Sequence, residues 1–117
     1  MRVVVVAGAK DYMNSQHVST QLDRLEPDMV VHGGGRSGVD KMANNWATAR
    51  AVACLRFVAK WQADGRAAGP RRNGRMLDFA RSLLEQHDVL VVAFSGGRGT
   101  EDFVRQARAA GLEVREV

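Results

Sequence analysis

A chain of 117 residues has room for one domain and one core. Its 45% hydrophobic content supports a packed interior and excludes wholesale disorder, and a net charge of +4 favours anionic partners. Cys54 is the only cysteine, which excludes an intrachain disulfide and a cysteine-based zinc cage. The longest apolar runs, around Val3–Ala7 and Val89–Phe94, are far too short to span a bilayer. Met1-Arg2 leads straight into an apolar run with no small-residue cleavage site, so a cytoplasmic protein with no membrane partner is expected.

In chain order, Arg2–Ala7 is a β-branched run that stops at Gly8 and predicts a buried parallel strand. Asn14 or Ser15 can cap a helix running to about Leu25. Met29–His32 predicts a second strand, and from Val39 the apolar positions Met42, Ala43, Trp46 and Ala47 follow at helical spacing. Cys54–Val58 reads as a third strand, and Lys60 to about Pro70 as a long irregular stretch. A helix carrying Met76, Leu77, Ala80, Leu83 and Leu84 on one face comes next, then an apolar strand over Asp88–Phe94. Thr100 can cap a helix with Glu101 and Asp102 in its first turn, and Leu112–Val114 predicts a fifth strand. Strand and helix alternate without a hairpin signal. The pattern predicts a single α/β domain over residues 1–117: a Rossmann-like three-layer fold of about five mostly parallel strands with helices on both faces.

In such a sheet every strand-to-helix loop emerges at one carboxyl edge. The loops with unusual chemistry here are all of that kind. They are Gly8-Ala9-Lys10, Gly33-Gly34-Gly35-Arg36-Ser37-Gly38, the basic stretch after strand three, and Ser95-Gly96-Gly97-Arg98-Gly99-Thr100. Glycine lets backbone approach a phosphate, and a following helix offers free N–H groups. One glycine cluster is ordinary punctuation, but two converging on one edge with Lys10, Arg36 and Arg98 predict an anion pocket. Gly33, Gly35 and Gly38 match the dinucleotide fingerprint, but they follow the second strand. No acidic residue stands about 20 positions on, which disfavours NAD. Gly38 is followed by Val39-Asp40, so the phosphate-binding pattern of P-loop NTPases fails too.

These loops, together with Trp61 and the run Gly65-Arg66-Ala67-Ala68-Gly69-Pro70-Arg71-Arg72-Asn73, resemble the YspA/YpsA-related branch of the SLOG superfamily. That superfamily takes its name from the DNA-processing Smf/DprA proteins and the Lonely Guy phosphoribohydrolases. The resemblance runs along nearly the whole chain. It implies a Rossmann-like sheet, a nucleotide or nucleotide-derived ligand, a site between the glycine loops, and self-association as a homodimer or larger homo-oligomer. Phage and bacterial proteins both carry such domains. The Lonely Guy signature Pro-Gly-Gly-x-Gly-Thr-x-x-Glu is broken here: Ser95 replaces the proline, and Phe103 stands at the final glutamate. Arg72 sits where those enzymes carry Arg-Lys-x-x-Met, and the first loop has Gly8-Ala9-Lys10 where many relatives have Gly-Ser-Arg.

Three functions follow as alternatives. A binding or sequestering protein needs only the loops, with Lys10, Arg36, Arg72 and Arg98 supplying charge. A phosphoribohydrolase needs a carboxylate to stabilise an oxocarbenium-like transition state, for which Asp102 is the candidate beside Arg72. First-turn acids also simply complement a helix dipole. Trp61 either stacks on a base or plugs a long loop, Asn73 adjoins Arg72, and Asp40 either meets a ribose hydroxyl or caps its helix. A nucleic-acid module would use Arg66, Arg71, Arg72 and Arg75, though few aromatics are present to stack on bases. His17, His32 and His87 lack metal-ligand spacing, so neither a metal nor a resident cofactor is expected.

Overall fold

The computed structural model describes residues Met1–Val117. Five strands form one sheet in the order β3-β2-β1-β4-β5, with every neighbouring pair parallel. The strands are β1 (Arg2–Ala7), β2 (Met29–His32), β3 (Ala53–Arg56), β4 (Asp88–Ala93) and β5 (Glu113–Glu116). The fold class read from the sequence holds, and the sheet is wholly parallel. The third and fifth strands are displaced by a residue or two from their predicted limits, as is usual where strands fray.

Valines alternate across the pleat of β1 and divide the interior into two cores. Val4 and Val6 pack with α1 (Ser15–Leu25) and α2 (Gly38–Arg50) through Val18, Leu22, Ala43 and Trp46. Val3 and Val5 pack with α4 (Ala68–Ser82) and α5 (Arg98–Ala109) through Met76, Leu77, Phe103 and Ala107. The chain moves outward from β1 to β3 on one side, then crosses to β4. The direction of winding therefore reverses between β1 and β4, where doubly wound sheets open a crevice at their carboxyl ends. No helix is long and apolar enough to cross a membrane.

Asn14 caps α1, its Oδ1 accepting the His17 N–H at 3.0 Å. Asn14→Ala removes that acceptor and should lower stability by about 1 kcal/mol in a urea titration.

Three expectations are corrected. The stretch read as irregular from Lys60 is helical: a four-residue turn α3 (Trp61–Asp64), a 3-10 turn (Gly65–Ala67), then α4 from Ala68. Pro70 is the third residue of α4, where its missing N–H has no intrahelical partner to lose. The glycines lower local propensity, but burial of Ala68, Met76 and Leu77 overrides it. Secondly, α5 begins at Arg98 with Gly97 in the flanking position, so Thr100 lies inside the first turn and does not cap it. Leu83 and Leu84 also fall just beyond α4, with Leu83 half-buried and Leu84 exposed.

Candidate functional site

The loops after β1, β2 and β4 meet at the carboxyl edge, and they are fitted to one another at glycines. A methyl group on Gly38 would strike the carbonyl of Ala9 and the backbone of Lys10, and Gly38 has φ +67°. A Cβ on Gly96 would collide with Thr100 Oγ1 and lie 3.1 Å from the Ala9 nitrogen. Gly8 faces the Val39 side chain just as closely. Ser37 Oγ donates to the Lys10 carbonyl at 2.8 Å, and the Val39 N–H to the Ala9 carbonyl at 3.3 Å. Sequence reasoning placed these loops on one edge; the structure brings them into contact.

Where the backbone donors point decides what the loops can hold. Within the glycine run, the Gly34 N–H is taken by His32 Nδ1 and the Gly35 N–H by Asp40 Oδ2, both at 3.0 Å. The N–H groups of Gly8, Ala9, Lys10, Arg36, Ser37, Ser95, Gly96 and Gly97 have no protein acceptor. Helices α2 and α5 both start here, and neither Ser37 nor Gly97 gives a side-chain cap. The edge thus carries a group of free N–H donors and the positive ends of two helix dipoles.

Charge is arranged to match. The six ion pairs of the chain use Arg2, Arg50, Arg71, Arg105, Arg108 and Arg115. Lys10, Arg36 and Arg98 enter none of them and stand exposed on the three loops. Arg72 reaches in from α4: Nη1 donates to the Gly33 carbonyl and Nε to Asn73 Oδ1 at 2.8 Å. Burial lowers the Arg72 pKa from its ordinary value, Asp40 opposes that shift, and Arg75 adds to it. Asp40 Oδ2 and the Arg72 guanidinium both close on the position that a Gly33 Cβ would take, without a direct ion pair.

Asp40 is therefore the carboxylate beside Arg72. Asp102 is held elsewhere, accepting from Arg105 and, at 2.7 Å, from Gln106 on the same helix. No hydrogen bond connects Arg72 with Asp102. A cavity of about 350 Å³ lies on the β5 side of the 95–100 loop, lined by Phe94, Ser95, Thr100, Val104, Glu101 and Glu116. The charged side chains on this lining are the two glutamates, which do not suit an anion. Gly99 has open space around it on α5. Trp61 is 62% exposed, with its ring edge toward Gly69, so it does not plug the loop. Val58, also exposed, lies beneath Gly34 and links that surface to the glycine run.

Cys54, on the outer strand β3, donates its thiol to Asn44 Oδ1 at 3.6 Å. Burial raises its pKa, and Arg56 only partly offsets this. The thiolate is the reactive form, so Cys54 should alkylate more slowly at pH 7 than a free cysteine. Its rate should keep climbing with pH beyond the range in which the free thiol levels off, as an iodoacetamide time course would record.

A model of the YspA, cpYpsA-related SLOG family matches residues 1–63, more than half of the chain. No curated protein matches it. Among solved structures, the C-terminal domain of a hydrogenase from Pyrococcus furiosus is similar in fold, with a TM-score of 0.56 and 15% identity. That likeness covers 99% of this chain and 90% of the other.

Proposed function

Since the chain belongs to the YspA, cpYpsA-related SLOG family, for which a nucleotide-related role is suggested, we propose that it binds a nucleotide or nucleotide derivative at the carboxyl edge. The observation that carries this reading is the set of unbonded N–H groups on three touching loops, ringed by unpaired cations. A phosphate placed there gains charge-assisted hydrogen bonds and two helix N-termini at once. On this reading the glycine run 33–38 forms the floor of the site, and the free N–H groups of Gly8, Ala9, Lys10, Arg36, Ser37, Ser95, Gly96 and Gly97 receive the phosphate. Arg72 and Asn73 brace it from α4, Asp40 is available to a ribose hydroxyl, and Trp61 offers an exposed ring to a base. The protein acts as a sensor or sequestering protein, as a homodimer or larger homo-oligomer.

The phosphoribohydrolase reading gains no support from the geometry, because the carboxylate of Asp102 is occupied on its own helix. A specific observation favours nucleic acid as the second reading. Residues 56–75 carry Arg56, Lys60, Arg66, Arg71, Arg72 and Arg75 against Asp64, a net +5 beside the exposed Trp61.

The test is native mass spectrometry of the protein as purified, then with nucleoside monophosphates and cyclic or ADP-ribose-type nucleotides. A stable adduct with intact ligand supports the binder. Free base accompanied by ribose phosphate, lost in Arg72→Ala or Asp102→Asn, would establish the hydrolase instead. Absence of any adduct, with binding to oligonucleotides that falls steeply with salt, would replace both by the nucleic-acid module.

A further inference from the structure

His32 is the one polar or charged residue among the buried side chains, with 1% of its surface exposed. It ends β2 and immediately precedes the glycine run. A backbone N–H can only donate, so the Gly34 N–H requires a lone pair on His32 Nδ1. The ring proton then resides on Nε2, which faces Asn44 Oδ1 at 3.0 Å. This fixes the Asn44 amide as well: turned over, it would present N–H to a ring already accepting at its other nitrogen. The Cys54 thiol donates to the same Asn44 oxygen, completing its two acceptor positions.

We infer that His32 is a positioning residue for the anion site, working as a neutral imidazole protonated at Nε2. It rests on the nucleotide reading above. By accepting the Gly34 N–H, His32 turns the first half of the glycine run inward and holds Gly34 at φ +72°. That presents the Gly33 carbonyl to Arg72 and leaves the Arg36 and Ser37 N–H groups without a protein acceptor, free to meet a ligand. Asp40 does the same for Gly35 from α2. The ligand is thus received by the second half of the run, next to the helix start, and the first half is scaffold.

Long-range proton–nitrogen NMR of the imidazole reads the tautomer directly. Expected is an unprotonated Nδ1 and a protonated Nε2; a proton on Nδ1 would overturn the inference. His32→Asn keeps an acceptor at the position of Nδ1, whereas His32→Phe keeps ring volume without one. With AMP as the probe, His32→Asn should bind within about threefold of the parent, and His32→Phe about tenfold or more weakly, as an unsatisfied buried donor implies. Amide exchange at Gly34 should accelerate in the phenylalanine variant only. If His32→Phe binds AMP as the parent does, this inference alone fails. If the parent binds neither AMP nor any other nucleotide of the panel, the nucleotide reading and this inference fail together. Should the phenylalanine variant not fold, the tautomer in the parent decides.

Discussion

Gly38→Ala is expected to destabilise the protein by about 2–5 kcal/mol. Two effects add. A left-handed backbone conformation costs an L-residue about 1–2 kcal/mol. Forcing a methyl group into a packed contact costs about 1–3 kcal/mol more. At Gly38 the obstacle is the backbone of Ala9 and Lys10, which cannot swing aside as a side chain would. Typical domains have only about 5–15 kcal/mol in total, so the loss is a large share. The control is Gly97→Ala, where φ is −87° and nothing lies within 4 Å of the added methyl. That change should stay within about 0.5 kcal/mol, as surface substitutions do. Urea unfolding of both variants tests the comparison. Equal midpoints would mean that the loops after β1 and β2 are not locked together as described.

Arg72→Ala should have the largest effect on ligand binding, lowering nucleotide affinity by about 10- to 100-fold. The guanidinium is half-buried, which weakens its hydration and strengthens whatever it faces. Its removal also strips the Gly33 carbonyl and Asn73 of a charged donor. Hydrogen bonds to charged groups are worth about 1.5–3 kcal/mol each, which sets the range. Arg72→Lys keeps the charge but cannot serve Gly33 and Asn73 together, so it should recover only part of the affinity. Asp40→Asn should alter binding in the same site, because it removes the charge that offsets the desolvation of Arg72. Isothermal titration with the nucleotide identified by mass spectrometry measures all three. An Arg72→Ala protein with unchanged affinity would remove this residue from the site.

Periodicity and β-branched runs made the alternation of strands and helices legible. Val3–Val6 and Val89–Val92 leave no reading but buried parallel strand, and the structure buries every one of them. Loop chemistry was legible as well, since a parallel sheet sends glycine runs after strands to one edge. What escaped is what depends on distant partners. The bond from Arg72 to Gly33 and the nearness of Asp40 span more than 30 residues, so Asp102 drew attention merely by lying near a glycine loop. The inward turn of the Gly34 and Gly35 N–H groups depends on a buried histidine and on α2, neither of which has a local signature. The helix hidden in residues 61–70 escaped for a related reason. Breaker signals at Gly65, Gly69 and Pro70 speak against it locally, and only the burial of Ala68, Met76 and Leu77 outweighs them.

The position of β1 has a consequence for how the chain is made. It pairs with β2 over three residues, Val3 to Val5, but with β4 over six, Arg2 to Ala7. The stronger partner is thus synthesised more than 80 residues downstream. Until residues 88–93 leave the ribosome, the longest strand of the nascent protein has one side bare, and its valines have only half of their eventual neighbours. Residues 1–63, which the family model matches, stop short of that partner. Expressed alone, it will contain three strands and an open valine edge, a template for pairing with other chains. A piece trimmed to the matched residues will therefore lack the strand that completes the sheet around β1.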